Sequence, residues 1–171
     1  MQAVHTIAPV WNADSNVLIL GTMPSPASRA AGFFYMHPQN RFWKVMAEIF
    51  GTPFQFPNNA PERDAAVAER REFLLAHRIA LWDVLAECEI RGAEDASIRR
   101  PVPNDFSELL SASRIRRVFC TGKTAAALYE RHCAARCGLP WECLPSTSPA
   151  NQGRWPFPAL VEAYRAALRP S

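Results

Sequence analysis

Residues 21–43 read Gly21-Thr22-Met23-Pro24-Ser25-Pro26-Ala27-Ser28-Arg29-Ala30-Ala31-Gly32-Phe33-Phe34-Tyr35-Met36-His37-Pro38-Gln39-Asn40-Arg41-Phe42-Trp43. Directly before them stands Val17-Leu18-Ile19-Leu20, a continuous apolar run of the kind that forms a buried parallel strand. At their end, Phe42, Val45, Met46, Ile49 and Phe50 recur at the spacing of one helix face, which predicts a helix over about 41–50 with Gly51 as its C′ residue. The connection between is far longer than the roughly 2–6 residues usual for a strand-to-helix loop. It carries Phe33, Phe34, Tyr35, His37, Gln39 and Asn40 behind a run of prolines and hydroxyls. Ligands of open parallel sheets bind beyond the carboxyl ends of the strands, so this loop is the expected site. Taken singly its residues have plainer uses. Phe33 and Phe34 suit a core, Asn40 suits a helix N-cap, and His37 before Pro38 suits a hydrogen-bonded turn. The combination is what points to function.

Outward from this stretch the chain repeats the same alternation. Ile79-Ala80-Leu81-Trp82, Val118-Phe119-Cys120 and Glu142-Cys143-Leu144 read as three further strands. Helices are expected from about Asn59, with Glu62 as a capping-box partner, to Arg78; from Asp105 with Glu108 through Leu110; from Lys123 to Ala135; and from Pro158 through Leu168. Residues 86–103, with Arg91, Arg99 and Arg100, read as a polar loop near the nucleic acid, and residues 1–15 as a lead-in. Alternating strands and helices define an α/β class with a parallel sheet. A second furnished loop, Pro145-Ser146-Thr147-Ser148-Pro149-Ala150-Asn151, follows the last strand. The two loops make one cleft if their strands lie close together.

Composition narrows the function. With 171 residues the chain suits one domain spanning 1–171, and a net charge of +3 permits nucleic-acid contact without demanding it. No apolar run approaches a membrane span, and no secretory pattern opens the chain. The five cysteines form no CxxC pair, so no metal or iron–sulfur cofactor is expected, and reduced thiols fit a cytoplasmic enzyme. Gly122-Lys123-Thr124 imitates the end of a P-loop, but the required earlier glycine position holds Arg117, which excludes a nucleoside-triphosphate site.

The two loops together resemble the uracil-DNA glycosylase superfamily, through Gly21-Thr22-Met23-Pro24-Ser25 and Leu144-Pro145-Ser146-Thr147-Ser148-Pro149-Ala150-Asn151. His37-Pro38-Gln39-Asn40-Arg41-Phe42-Trp43 is similar to the mismatch-specific uracil branch, and the nearest likeness is to the hypoxanthine-DNA (deoxyinosine) glycosylase branch. The resemblance implies a three-layer α/β/α fold around a four-stranded parallel sheet, and a monomeric, monofunctional enzyme that flips a base from DNA without metal or cofactor. It implies Asn40 and His37 as catalytic. It places Gly21, Thr22, Met23, Pro24, Ser25, Phe34, Tyr35, Gln39, Ser146 and Ser148 at the base, and Ser28, Thr147, Pro149, Ala150, Asn151 and Arg154 at the DNA, duplex or single-stranded. Two positions depart from the wider pattern. Met23 stands where mismatch-specific members have a water-handling Asn, and Ala150 is too small for the usual wedge, which leaves Asn151, Gln152 or another segment to fill the gap.

The residue types suit base excision. An extruded base needs an aromatic face, from Tyr35 or Phe34. Hypoxanthine offers a carbonyl O6 and an N1–H, which a side-chain amide matches with its own donor and acceptor; Gln39, Asn40 or a backbone amide is the expected reader. Uracil presents the same order at O4 and N3–H, and adenine the reverse. Asn40 is placed to hold the attacking water or the departing base, and His37 to donate to it. Neither loop holds a lysine for a Schiff base. A uracil- or mismatch-directed glycosylase is the alternative enzyme, and a catalytically silent nucleic-acid-binding module the alternative outside enzymes.

Overall fold

The computed structural model describes residues 1–168. In chain order the elements are β1 (Gln2–Val4), β2 (Val17–Gly21), α1 (Pro26–Ala31), α2 (Phe42–Phe50), a 3₁₀ turn (Ala60–Glu62), α3 (Arg63–Ala76), β3 (Ile79–Asp83), β4 (Leu85–Arg91), β5 (Glu94–Pro103), α4 (Ser107–Ser111), β6 (Arg117–Thr121), α5 (Lys123–His132), α6 (Ala134–Cys137), β7 (Trp141–Leu144), a second 3₁₀ turn (Pro149–Asn151) and α7 (Phe157–Leu168).

The four apolar runs form one all-parallel sheet in the order β3-β2-β6-β7. Period-two alternation divides β2 between the layers. Ile19 faces a core built with Phe42, Met46, Leu74, Phe119 and Tyr164, which buries α2, α3 and α7 on one side. Leu18 and Leu20 face the other side, against Leu109, Ala125 and Tyr129 of α4 and α5. The parallel sheet is the one the alternating pattern predicts, and the three layers are those the family resemblance implies.

One expectation is overturned. Residues 85–103 are not a loop but the hairpin β4–β5, joined to β1 in a second, antiparallel sheet of order β1-β4-β5. Only Leu85, Cys88 and Ile90 of β4 are buried, so one face is apolar and the other carries charge. The outer strand holds Pro101 and Pro103, tolerated because an edge strand can lose ladder donors. Arg100 pairs with Glu89 at 3.1 Å and Arg91 with Glu94 at 3.7 Å, so these cations are answered within the hairpin. The lead-in segment has a structural role, since β1 pairs with β4 and Val10 bridges Leu81.

Smaller differences are local. Pro26 at the first turn hides α1, which Ser25 caps and Gly32 ends in the left-handed region at φ 73°. Asn59 makes no side-chain cap bond, and the long helix starts at Arg63. Asp105 Oδ1 takes the Ser107 N–H at 2.9 Å, without a Glu108 box. Gly51 ends α2 as expected, at φ 63°. Among the described residues, no helix is long and apolar enough to cross a membrane, and no group of three or more His, Cys, Asp or Glu side chains is placed to hold a metal.

Candidate active site

A cavity of about 240 Å³ opens at the carboxyl ends of β2, β3 and β6. Both furnished loops line it, although their strands are not neighbours: β6 lies between β2 and β7 and adds Thr121. From the first loop come Gly21, Thr22, Met23, Pro24, Ser25, Phe34, Tyr35, His37 and Asn40, and from the second Ser146, Thr147, Ser148 and Pro149.

Tyr35 is held on three counts. Its backbone is left-handed at φ 56°, a strained state for a bulky side chain. Its ring stacks on Phe42 with centroids 4.1 Å apart, so only the opposite face and the edge remain for a ligand. Thr121 donates to Leu20 O at 3.3 Å, so the Tyr35 hydroxyl donates to Thr121 Oγ1 at 2.9 Å. Burial, reinforced by the nearby Asp83 carboxylate, holds its proton well above the ordinary tyrosine range and keeps the hydroxyl neutral. Phe34 is 2% exposed and gives its carbonyl to the Trp43 indole at 3.0 Å.

Asn40 is fixed by two donors. Its Oδ1 accepts the Phe42 N–H at 2.9 Å and the Thr147 hydroxyl at 2.9 Å. The backbone N–H can only donate, which settles which amide atom is oxygen. The carbonyl is thereby occupied, and the Nδ2 group is the part free for a ligand. His37 is exposed at the rim, and its Nδ1 accepts the Gln39 N–H at 3.1 Å, so in the neutral ring Nε2 carries the hydrogen.

The loops are joined through Arg41, which is 6% exposed. Its guanidinium donates to Trp155 O at 2.5 Å and Ser148 O at 3.3 Å, and its backbone N–H to Thr147 O at 3.1 Å. The Tyr164 hydroxyl donates to Pro145 O at 2.6 Å and pins the start of the second loop. Ser146 Oγ and Ser148 Oγ accept from the N–H groups of Ser148 and Ala150, leaving each hydroxyl hydrogen available.

Other expected positions are placed as follows. Ser28, expected at the DNA, is 2% exposed, lines the cavity and accepts the Met36 N–H at 3.0 Å, which braces the loop. Gln39 is exposed and is not among the residues that line the cavity. Ala150 and Asn151 line a shallower groove beside the cavity, facing the hairpin, and Asn151 Nδ2 is bonded to Ser146 O at 3.0 Å. Arg154 is exposed beyond the rim.

Three polar cavity residues, besides Ile90 and Ala93, escaped the sequence reading. Thr121 sits at the end of β6, in line with the strand-end rule. Asp83 ends β3, is 4% exposed, and has its Oδ2 on His5 Nε2 at 2.8 Å. Asp95 leans in from the hairpin and accepts from the Thr22 hydroxyl at 3.4 Å. Desolvation raises the Asp95 carboxyl above its usual range, opposed by Thr22 and assisted by Asp83. A carboxyl raised in the folded state disfavours folding once it ionises. That penalty is absent below the unfolded value of about 3.9 and grows as pH rises through the folded one. Asp95 is itself exposed on the hairpin, so solvent screens most of that penalty, and Asp95→Asn is expected to raise the melting temperature at pH 7 only slightly and to leave it unchanged near pH 3, as differential scanning fluorimetry across that range would read.

A parallel sheet with a cavity at its strand ends, walled by an aromatic ring and a locked amide, is an arrangement that can stack and hold an extruded base, and the family comparison identifies its class as DNA glycosylase. The family model described as "Uracil DNA glycosylase superfamily" matches residues 8–169, and the chain belongs to that superfamily. Two relatives named hypoxanthine DNA glycosylase are similar to it. The one from Methanosarcina acetivorans is 31% identical over 143 residues, covering 84% of this chain and 85% of its own. The one from Methanosarcina barkeri is 32% identical over 145 residues, with the same coverage of 84% and 85%. A solution NMR structure of a Methanosarcina acetivorans protein, described as a candidate uracil DNA glycosylase, superposes with TM-score 0.78 at 28% identity, covering 99% of this chain and 98% of that one.

Proposed function

We propose that this glycosylase excises hypoxanthine from DNA by direct hydrolysis. The observation that carries the reading is a fixed donor and a fixed acceptor in one cavity. Asn40 has its oxygen occupied and its Nδ2 free. Asp83 has one oxygen on His5 and lines the cavity with the rest of its carboxylate. A donor and an acceptor lining the same cavity suit O6 and N1–H of hypoxanthine and not adenine, whose edge runs the other way. The names of the two relatives support the same substrate.

In this reading the base lies along the open face of Tyr35, with Asn40 Nδ2 on O6 and Asp83 Oδ1 on N1–H. As the C1′–N9 bond breaks, its electron pair leaves with the base. Asn40 and the Nε2–H of His37 stabilise that charge, a role that preorganised donors fill without reorganisation. Water adds to C1′ through its oxygen, and the proton it gives up is balanced by protonation of the departing base anion, so that the products are the free base and the C1′ hydroxyl. Since the Asn40 carbonyl already has two donors, Asn40 serves the departing base and not the water. No lysine lines the cavity, which favours water over an enzyme amine as the nucleophile. The second-loop hydroxyls and N–H groups suit a phosphate beside the flipped nucleotide.

The test is a cleavage gel on duplexes carrying inosine, uracil or xanthine, run with and without alkali. Strand breaks on inosine that require alkali are expected. Breaks without alkali would overturn direct hydrolysis, and uracil cleavage without inosine cleavage would overturn the substrate. Met23 bears on the uracil reading, since it lines the cavity without a useful hydrogen-bonding group. Met23→Asn is expected to raise uracil excision in single turnover while inosine excision persists, for an added polar group near the sugar is of the kind worth several kcal/mol, roughly, in a preorganised site.

A further inference from the structure

His5 lies three residues before the stretch the family model matches, yet its ring reaches the wall of the cavity. The segment that carries it is anchored on both sides. Ala3 is paired with Cys88 in the β1–β4 ladder, and the His5 N–H donates to Ala86 O at 2.7 Å. The Ile7 N–H donates to His5 Nδ1 at 3.2 Å. A backbone N–H on Nδ1 leaves Nε2 as the nitrogen that faces Asp83 with a hydrogen, at 2.8 Å from Oδ2. The side chains are 1% and 6% exposed, so water does not compete for either. Phe34 and Trp82 wall the imidazole, with ring centroids at 6.0 and 6.3 Å.

We propose that His5 is a positioning residue: it holds Asp83 Oδ2 so that Oδ1 faces the ring N–H of the flipped base, which makes the amino-terminal arm part of base selection. This rests on the reading of Asp83 as the acceptor for N1–H. The other oxygen has a set place. A Cβ built on Gly21 would fall 2.4 Å from Asp83 Oδ1, so the carboxylate lies directly against the Gly21 backbone at the head of the cavity-lining loop. The carboxylate has one oxygen for the arm and one for the cavity. Without the imidazole it is free to turn about χ2 and lose its register with the base.

The experiment compares single-turnover excision of 2′-deoxyinosine and of N1-methyl-2′-deoxyinosine, which replaces the ring N–H by a methyl. It uses the full chain as parent, Asp83→Asn, His5→Phe and His5→Gln, each with its melting temperature. His5→Phe keeps the aromatic packing and removes the donor; His5→Gln keeps a donor. His5→Phe is expected to lower the inosine to methylinosine ratio by about 10–100-fold, the scale of a lost hydrogen bond to a charged group, and His5→Gln to recover most of it. If Asp83→Asn lowers the ratio and a folded His5→Phe keeps the parental value, His5 is only packing and the inference fails alone. If Asp83→Asn also keeps the parental ratio, the reading of Asp83 fails first. Should His5→Phe not fold, a folded His5→Gln with a collapsed ratio overturns the inference, and one with the parental ratio upholds it.

Discussion

Replacing Asn40 by Ala is expected to lower the single-turnover rate on inosine DNA by about 10²–10³, the usual cost of removing one preorganised transition-state donor. The same change removes the acceptor for the Phe42 N–H at the start of α2, whose N-cap is Arg41, so a stability loss of about 0.5–1.5 kcal/mol, the scale of one hydrogen bond, should accompany it. Asn40→Asp separates the two effects. Its carboxylate still accepts from Phe42 and Thr147, so the melting temperature should stay near the parental one. It offers no N–H to the base and places negative charge where negative charge develops, so the rate should fall at least as far. Parental excision by a folded Asn40→Asp protein would reduce Asn40 to a helix-start residue.

Gly21→Ala is the second large effect. A Cβ there falls 2.4 Å from Asp83 Oδ1 and 3.0 Å from the Tyr35 hydroxyl. The carboxylate cannot yield freely, since its other oxygen is on His5, and Tyr35 cannot yield freely, since its ring is stacked and its hydroxyl bonded. Both walls of the cavity shift, and displacements of about 1 Å in a reacting geometry cost on the order of 10²-fold in rate. We expect a loss of that size on inosine DNA with the secondary structure intact, read by stopped-time gels and circular dichroism. An unchanged rate would show that neither Asp83 nor Tyr35 has to hold its place.

How much of this was legible depends on how locally each signal is written. The parallel strands are plain because buried strands are unbroken apolar runs, as in Val17-Leu18-Ile19-Leu20. Asn40 and Tyr35 are legible because an overlong loop at a strand end concentrates them. The hairpin is not, because its outward face alternates Glu and Arg and its edge strand holds two prolines, all of which read as loop. The bracing role of Ser28 is not legible, because a serine on a loop surface and a serine buried inside it have the same letter. Asp83 reads as the last residue of a strand. Its meaning comes from His5, 78 positions away, and no local pattern carries a pair of that separation.

Arg41 binds carbonyls of the second loop while standing next to Asn40 of the first. Two lips of a cleft are commonly free to part independently, which lets one widen the gap while the other stays put. Here a single guanidinium works as a rivet. The two loops thus form one bank of the cleft, and the charged hairpin that carries Asp95 forms the other.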